Sequence, residues 1–568
     1  MSVTNDDYRR ARHIGDAVAP LLSDALRSSK RGRQSMDSRI FCCGLILSID
    51  VHNSGTVTDI HSVLTRDLPR DKQWDLGVLR RHTNGDIAQL KIEDLYNFTR
   101  RFARLDYTVE RAADLSDPER ERRKRVLADL SDAMLGATLP PRPNDASDYA
   151  LDGTGIWAHE KSPRSAPAIN EHIDNHEEDR EDILADGAGE GAADGAEAAP
   201  PTTTRGSKGA SDAGWGVKTA KDGGRESYYG YQAQAWVRIP EQWGTGSQRP
   251  EPMLVERLIL RAAHEDIVEP CFETMDRMLA DGLKITGLAV DRHYSYKSYS
   301  RWLRRLLTMG IRQCADMHVN DQGFRDWDGI RIAAGWAHCP CTPDNLGVIK
   351  SPDVDATYEE VEAFQARIGE RQNYAAQRVS PLDANGKVRF RCPARNGTVG
   401  CSRVAGTLAT AVELGLPIIH EPPPETTAPR ICKQDTVQLH IQNDDQAKAM
   451  KMHQKHYWGT RAWRNDFNRR TYVEGWFGVL KSATATGLNR GSHQFNGLAT
   501  STLIMAAAAA VTNMRLLRTW HSETGLGDET HPLLQPDEPF HGFGQLTAAQ
   551  AAAIDERCSP TGENNQAA

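Results

Sequence analysis

Asp466-Phe-Asn-Arg-Arg-Thr-Tyr-Val-Glu-Gly-Trp-Phe-Gly-Val-Leu-Lys481 carries its chemistry at helical spacing. At about 100° per residue, Phe467, Arg470, Glu474 and Lys481 fall within about 60° of one another. Val473, Phe477 and Leu480 form an adjoining apolar stripe. One face therefore packs, and its border holds a carboxylate between two cations. Taken alone, the same pattern describes an ordinary amphipathic helix with a solvated Arg-Glu pair.

Two other stretches bear on the choice. Ser147-Asp-Tyr-Ala-Leu-Asp152-Gly-Thr-Gly-Ile-Trp157 reads as a short strand with a carboxylate at its end, then a Gly-rich turn. Leu283-Lys-Ile-Thr-Gly-Leu-Ala-Val-Asp291 reads as a buried strand with an Asp at its C-terminal edge, leading into a helical segment over 299–307. Two carboxylates from strands and one from a helix can converge on a pair of divalent cations. Hard oxygen ligands suit Mg²⁺, and two such ions can activate an attacking oxygen and stabilise a leaving one in phosphodiester chemistry.

Asp152, Asp291 and Glu474 resemble the acidic triad of the DDE transposases of bacterial insertion sequences. One large group of these enzymes has the signature Tyr-x2-Arg-x3-Glu-x6-Lys. The chain gives Phe467-x2-Arg470-x3-Glu474-x6-Lys481, matching three of the four positions at the right spacing. Phe467 departs from the pattern by lacking the Tyr hydroxyl. The resemblance covers roughly residues 35–520. It implies an α/β fold with a ribonuclease-H-like catalytic core, Mg²⁺ or Mn²⁺ held by Asp152, Asp291 and Glu474, and cleavage and joining of DNA at the element's ends. The implied partners are terminal inverted repeats, target DNA and a second copy of the chain in a synaptic complex. A catalytically idle DNA-binding regulator, or domesticated relative, is the alternative; a nuclease without strand transfer is a third reading.

The 568 residues suggest two to four structural units. A net charge of −8 argues at first against a DNA-binding protein. The charge is uneven, however: residues 171–200 hold 11 acids against one base, Arg180, which leaves the remainder near neutral. The N-terminus lacks the apolar core of a signal peptide. The best membrane candidate, Leu498 to Val511, is short and Ala-rich, so a core helix over 498–517 is expected instead. The expected compartment is a reducing cytoplasm, with the protein associated with the nucleoid and no membrane partner. No phosphate-binding loop, dinucleotide fingerprint or nucleophile elbow is present.

Residues 1–34 read as a mobile or helical lead-in ending in Arg27, Lys30, Arg31 and Arg33. Residues 35–135 read as a helical domain, either a helix-turn-helix DNA reader or a generic bundle. Arg120 to Arg125 is a charged helix start, solvated or against DNA. Pro140-Pro-Arg-Pro143 marks a linker into a catalytic domain over 145–330 and 435–520. Within that domain strands are expected at 228–237 and 254–260 and a helix up to Leu279. An acidic, low-complexity loop is expected at 171–212, and a flexible tail at 521–568.

The 183 residues from Asp291 to Glu474 exceed what such a core needs, so an insertion is expected over 331–434. It carries Cys339, Cys341, Cys392 and Cys401, a possible four-thiolate Zn²⁺ site, with His338 or Cys432 able to replace one ligand. Buried reduced thiols explain the same residues equally well. Upstream of Glu474, Lys451 to Trp458 and then Arg461, Arg464, Arg469 and Arg470 interleave bases with aromatics. That pattern suits a DNA-backbone surface with a ring for stacking. The expected DNA contacts are Trp458, Arg461, Arg464, Arg470 and Lys481.

Overall fold

Alternation along one strand sorts the molecule into layers. In β1 (Asp148–Trp157), Tyr149 and Leu151 pack into one hydrophobic core and Ala150 into another on the opposite face. The computed structural model describes residues 3–26, 36–82, 84–141, 148–159, 210–219, 225–240, 251–318, 321–353, 355–482, 486, 496–538 and 549. The expected acidic loop lies outside these residues apart from 210–212, as do Arg27, Lys30, Arg31 and Arg33.

β1 is central in a mixed sheet with β2 (Gly214–Thr219), β3 (Arg225–Ile239), β4 (Val255–Ala262), β5 (Gly287–Val290) and β6 (Arg312–Ala315). β3 pairs antiparallel with β1 along one edge. Its other edge takes β2 over residues 225–230 and β4 over 231–237. On the far side of β1, β5 and then β6 run parallel to it. The chain is thus a mixed α/β protein with a central sheet in which a meander and two crossover strands share β1.

The sheet's two faces differ in residue size. One presents Ala150, Ala233, Ala235 and Ala289. Against these lie the large side chains of a helix at residues 471–481, Tyr472, Val473, Trp476, Phe477 and Leu480. Small residues facing large ones let a helix lie close to a sheet without voids. The opposite face carries Tyr149, Leu151, Trp236, Leu288 and Val290, covered by Cys271, Phe272, Met275 and Met278 of the helix Val268–Ala280.

The N-terminal helices join the first of these cores. α1 (Asn5–Ala25) starts with a reciprocal cap, Thr4 and Asp7 each bonding the other's amide. It buries Ile14, Val18 and Leu22 completely. α2 (Ser38–His52) is the apolar run that crosses it, and α3 (Asp117–Gly136) closes the layer. Of the two readings of the lead-in over 1–34, residues 5–25 take the helical one, and their apolar stripe is core rather than a flexible tail. Nor is the helical region closed on itself: its side chains share one hydrophobic cluster with β1, β3 and β4.

The C-terminal expectation is corrected too. The last long helix runs from Leu498 to Thr524, 27 residues, one end matching the expected 498–517 and the other reaching seven residues further. Beyond it Leu533 and Leu534 are buried, Asp537 pairs with Arg10 at 2.5 Å, and the Glu538 amide donates to Asp6 at 2.7 Å. Residues 525–538 are thus seated on α1; residues 539–548 and 550–568 lie outside the described set. Among the described residues, this helix is the single one long and apolar enough to cross a membrane, and 83% of its apolar window is buried inside the fold. A bent pair at 38–52 and 57–67 passes the same test jointly. Asn513 on the long helix ties the layers together. Its Oδ1 accepts from Trp476 Nε1 (3.1 Å) and the Val255 amide (2.9 Å), and its Nδ2 donates to the Val255 carbonyl (2.9 Å) and Thr138 Oγ1 (3.0 Å).

After β6 the chain builds a third core from Trp327 to Met450, joined by Tyr299 and Leu303. It holds two antiparallel three-stranded sheets, 325–327 with 330–333 and 336–338, and 377–380 with 387–391 and 436–440. The insertion is therefore wider than 331–434, because Thr436–His440 completes its second sheet.

His453 is buried, with Nδ1 against the Gly335 carbonyl (3.1 Å) and Nε2 accepting from the Leu382 amide (3.3 Å). Burial, with Arg378 nearby, pushes its pKa down to about 4. Below about pH 6.5 the unfolded imidazole takes up a proton that the native one refuses, so stability falls as pH falls from about 6.5 to 4. The expected loss for this one residue is on the order of 3 kcal/mol. Denaturant titrations across that range should show the decline, flattened in His453→Gln at the cost of lower stability at pH 7.

Candidate active site

Asp152 and Asp291 meet because of register. β1 and β5 are parallel with Leu151 opposite Val290. The next residue on each chain is an aspartate, on strands about 4.8 Å apart. At Asp291 the chain leaves β5 for the one-turn helix Arg292–Ser295, whose first turn the Asp291 carboxylate caps by accepting from the His293 amide. β1 continues to Trp157 with β3 as its partner. Asp152 is therefore mid-strand, not at a strand end, and the expected Gly-rich turn is strand as well. A Cβ on Gly153 would lie 2.8 Å from Gln232 Nε2, and one on Gly155 2.6 Å from the Tyr228 ring. These glycines make room for side chains lying across β1.

Glu474 comes from the small-residue face that Asp152 shares with Ala150. The stretch expected as one helix is two: α-helical 461–467, a 3₁₀ turn at Asn468–Arg470, then α-helical 471–481. The tighter turn swings Arg469 inward, where it is buried. Its Nη1 donates to Asp148 Oδ2 (2.7 Å) and the Pro240 carbonyl (2.9 Å), and Nη2 meets Asp466. Asp148 also accepts from Thr286 Oγ1 at 2.6 Å. This latch fixes the start of β1 to the turn that leads into the Glu474 helix.

Arg470, one residue on, lies between acids. Its Nη2 is 2.6 Å from Glu474 Oε1 and its Nη1 3.5 Å from Asp152 Oδ2. Its guanidinium stands 5.3 Å from the Phe467 ring centroid, and Phe467 stacks on Trp463 at 5.1 Å. The aromatic ring at 467 thus supports Arg470 without a hydroxyl. Burial, then the neighbouring Asp291, pushes the Asp152 carboxyl up to about 7; Glu474 adds to the rise, while the Gly153 amide and Arg470 oppose it. Lys481 reaches back to donate to Thr154 Oγ1, on the same face of β1 as Asp152. No protein-family model, curated protein or solved structure matches this chain.

The structure brings Asp152, Asp291, Glu474, Arg470 and Lys481 to one end of the parallel strands, the end where open α/β sheets bind ligands. Among the described residues, no three His, Cys, Asp or Glu side chains stand as a ready metal shell; at the acids, Arg470 occupies the space between Asp152 and Glu474. Arg461 is exposed and Arg464 half-buried, its guanidinium 6.0 Å from the Phe364 ring centroid. Trp458 is corrected: it is 1% exposed and its Nε1 donates to Asp316 Oδ1 at 3.1 Å, so its ring is core and not a stacking platform. Arg469, Lys451 and His453 of the same basic run are buried as well. Within the charged start of α3, Arg122 and Arg123 pair with Glu119, and Lys124 with Glu273.

Sequence reading missed the supports. Arg292, next to Asp291, pairs with Asp316 at 2.7 Å. Buried Gln234 donates to Tyr294 Oη at 3.0 Å and accepts from the Cys271 thiol at 3.5 Å, behind the two aspartates. The available signal was the period-2 pair Gln232 and Gln234 among the alanines and aromatics of 228–237.

In the insertion Cys339, Cys341, Cys392, Cys401 and Cys432 line one small cavity with Arg403 and Ile419. His338 turns away. Its ring nitrogens bond the Trp336 carbonyl (2.9 Å) and Tyr457 Oη (2.6 Å), which removes it as a stand-in ligand.

Proposed function

We propose that the chain is a DNA transposase with a ribonuclease-H-like core, cutting and joining DNA at the ends of an insertion sequence. The observation that carries the reading is the convergence of Asp152, Asp291 and Glu474, from two adjacent parallel strands and a facing helix, with Asp152 pushed up to about 7 by burial and by the other two. The strand order β4-β3-β1-β5-β6, with two antiparallel pairings on one side of β1 and two parallel ones on the other, supports the same fold.

The donor chemistry suits Mg²⁺ or Mn²⁺, hard carboxylate oxygens, once Arg470 leaves the space between Asp152 and Glu474. When bound, such ions supply Lewis acidity toward the phosphate and an activated attacking oxygen. Asp152, Asp291 and Glu474 would hold them. Arg470 and Lys481 would neutralise the phosphate oxygens, and the Arg469–Asp148 latch would keep the Glu474 helix in position. Catalysis on this scheme is positioning and charge neutralisation without a covalent enzyme intermediate. DNA ends and target DNA are the partners, with two copies of the chain holding paired ends, in the cytoplasm at the nucleoid.

Glu474→Gln tests the reading. Cleavage of a cognate end in Mg²⁺ should fall by at least about 100-fold while end binding in gel-shift titrations stays within about threefold. Equal cleavage by parent and variant removes Glu474 from the chemistry. A parent chain that binds ends but never cuts them favours the idle regulator. Phe467 does not by itself favour that alternative, because the ring packs against Arg470 without needing a hydroxyl.

A further inference from the structure

We propose that the insertion binds one Zn²⁺ through Cys392, Cys401, Cys432 and one thiol of the Cys339–Cys341 pair, which line one cavity but close into a metal shell only on taking up the ion. Five thiols around one cavity come from separate pieces of chain: the turn after strand 336–338, the start of helix 393–396, the bridge residues 400–401 and helix 430–433. Cys432 faces the same cavity as the other four, although 31 residues separate it from Cys401. The wall has no carboxylate or imidazole, and soft thiolates of this kind select zinc in tetrahedral geometry.

Two further details belong to a metal site more than to packed thiols. Cys339 and Cys392 are each followed by proline, which has no amide to donate. In both places the chain turns so that later amides lie near the sulfur: that of Cys341 by the Cys339 thiol, and those of Ala394 and Arg395 by the Cys392 thiol. Amide donors to sulfur orient thiolate ligands and temper their charge. Arg403 stands in the same wall, and its Nη2 is held by the Pro423 carbonyl. A four-thiolate zinc centre carries net negative charge, so a fixed cation beside it is favourable; a nest of neutral thiols has no use for one. All five cysteines are free of disulfides.

The site would also bear on the insertion's placement. Cys339 follows His338, which bonds Tyr457; Trp458 bonds Asp316, which pairs with Arg292 beside Asp291. Zinc would fix one end of this path.

The test uses the full chain, reduced and dialysed against metal-free buffer. Elemental analysis should find about one zinc per chain, and Co²⁺ exchanged for it should give the absorption of a tetrahedral thiolate complex. Cys392→Ser/Cys432→Ser should retain less than about a tenth of the zinc, because at most three of the five thiols then remain and leave the metal open to loss. Cys42→Ala, in the distant N-terminal core, should retain it all. If the double variant does not fold, alkylation of the parent decides: the cavity thiols should be protected until a chelator is added. A parent without zinc that also fails to take up Co²⁺ under reducing conditions overturns the proposal, as does full zinc retention in Cys392→Ser/Cys432→Ser. These readouts do not involve DNA, so their failure leaves the transposase reading untouched.

Discussion

Asp152→Asn should make the metal-free chain more stable at pH 8 while removing Mg²⁺-dependent cleavage. The sign follows from where the proton sits. In the unfolded chain this carboxyl ionises near pH 4; in the folded chain burial and the nearby Asp291 push it up to about 7. Between those values the native state keeps a proton that the unfolded state has released. Stability of the parent therefore falls as pH rises from about 4 to about 7 and stays low above that. Asparagine has no charge to crowd. Its gain should be absent at pH 4 and on the order of 2–4 kcal/mol at pH 8, an upper range for a side chain 19% exposed. Cleavage should fall by at least about 100-fold, as for loss of a group that acts only in the transition state. Urea titrations at the two pH values, run without divalent ions, measure the first effect. A variant less stable than the parent at pH 8 would mean that the acids are not strained against one another.

Arg469→Met should be among the most destabilising single changes in the chain. The guanidinium is buried and joins Asp148, Asp466 and the Pro240 carbonyl. Methionine keeps much of the volume but leaves two part-buried carboxylates without their cation. Breaking one side of a buried pair costs about 3–5 kcal/mol, although a well-packed apolar replacement of the whole group is often neutral. Arg469→Met with Asp148→Asn should therefore recover part of the loss, a coupling that a double-mutant cycle reads directly. Arg469→Lys should recover little, because an ammonium lacks the planar fork that spans both acids. The basic pattern of the sequence suggested a DNA contact at this position. On that view Arg469→Met would lessen the salt dependence of DNA binding and leave the urea midpoint unchanged; the buried position calls for the reverse.

These two residues also mark how far the sequence could be read. Asp152, Asp291 and Glu474 were legible because strand and helix periods place each acid at the border of an apolar run, and the spacing of Arg470, Glu474 and Lys481 survives the break at 468–470. That break was not legible: nothing local to Asn468 announces a 3₁₀ turn, which depends on Arg469 finding Asp148 more than 300 residues away in sequence. The same holds for Trp458 and Lys451. A run of bases and aromatics has one appearance whether it faces solvent or a core, and burial was decided by partners in the segment that follows β6, Asp316 and Asp321. The cysteine cluster was half legible. Cys-Pro recurs in the sequence, but the choice of Cys432 over His338 needed the direction of each side chain. The lead-in and the tail were partly misread for a related reason: polar residues outnumber apolar ones in both, yet a stripe of Ile14, Val18 and Leu22 suffices to hold α1, and Leu533 and Leu534 hold the segment beyond residue 524.

The cluster that joins α1, α2 and α3 to β1, β3 and β4 has a consequence for how such a protein can change over generations. A front end attached by a loose tether can be traded for another like a cassette. Here a fragment starting at residue 148 would expose one flank of β4 and the oily side of its last long helix, so the whole ensemble must drift together, one compensated substitution at a time.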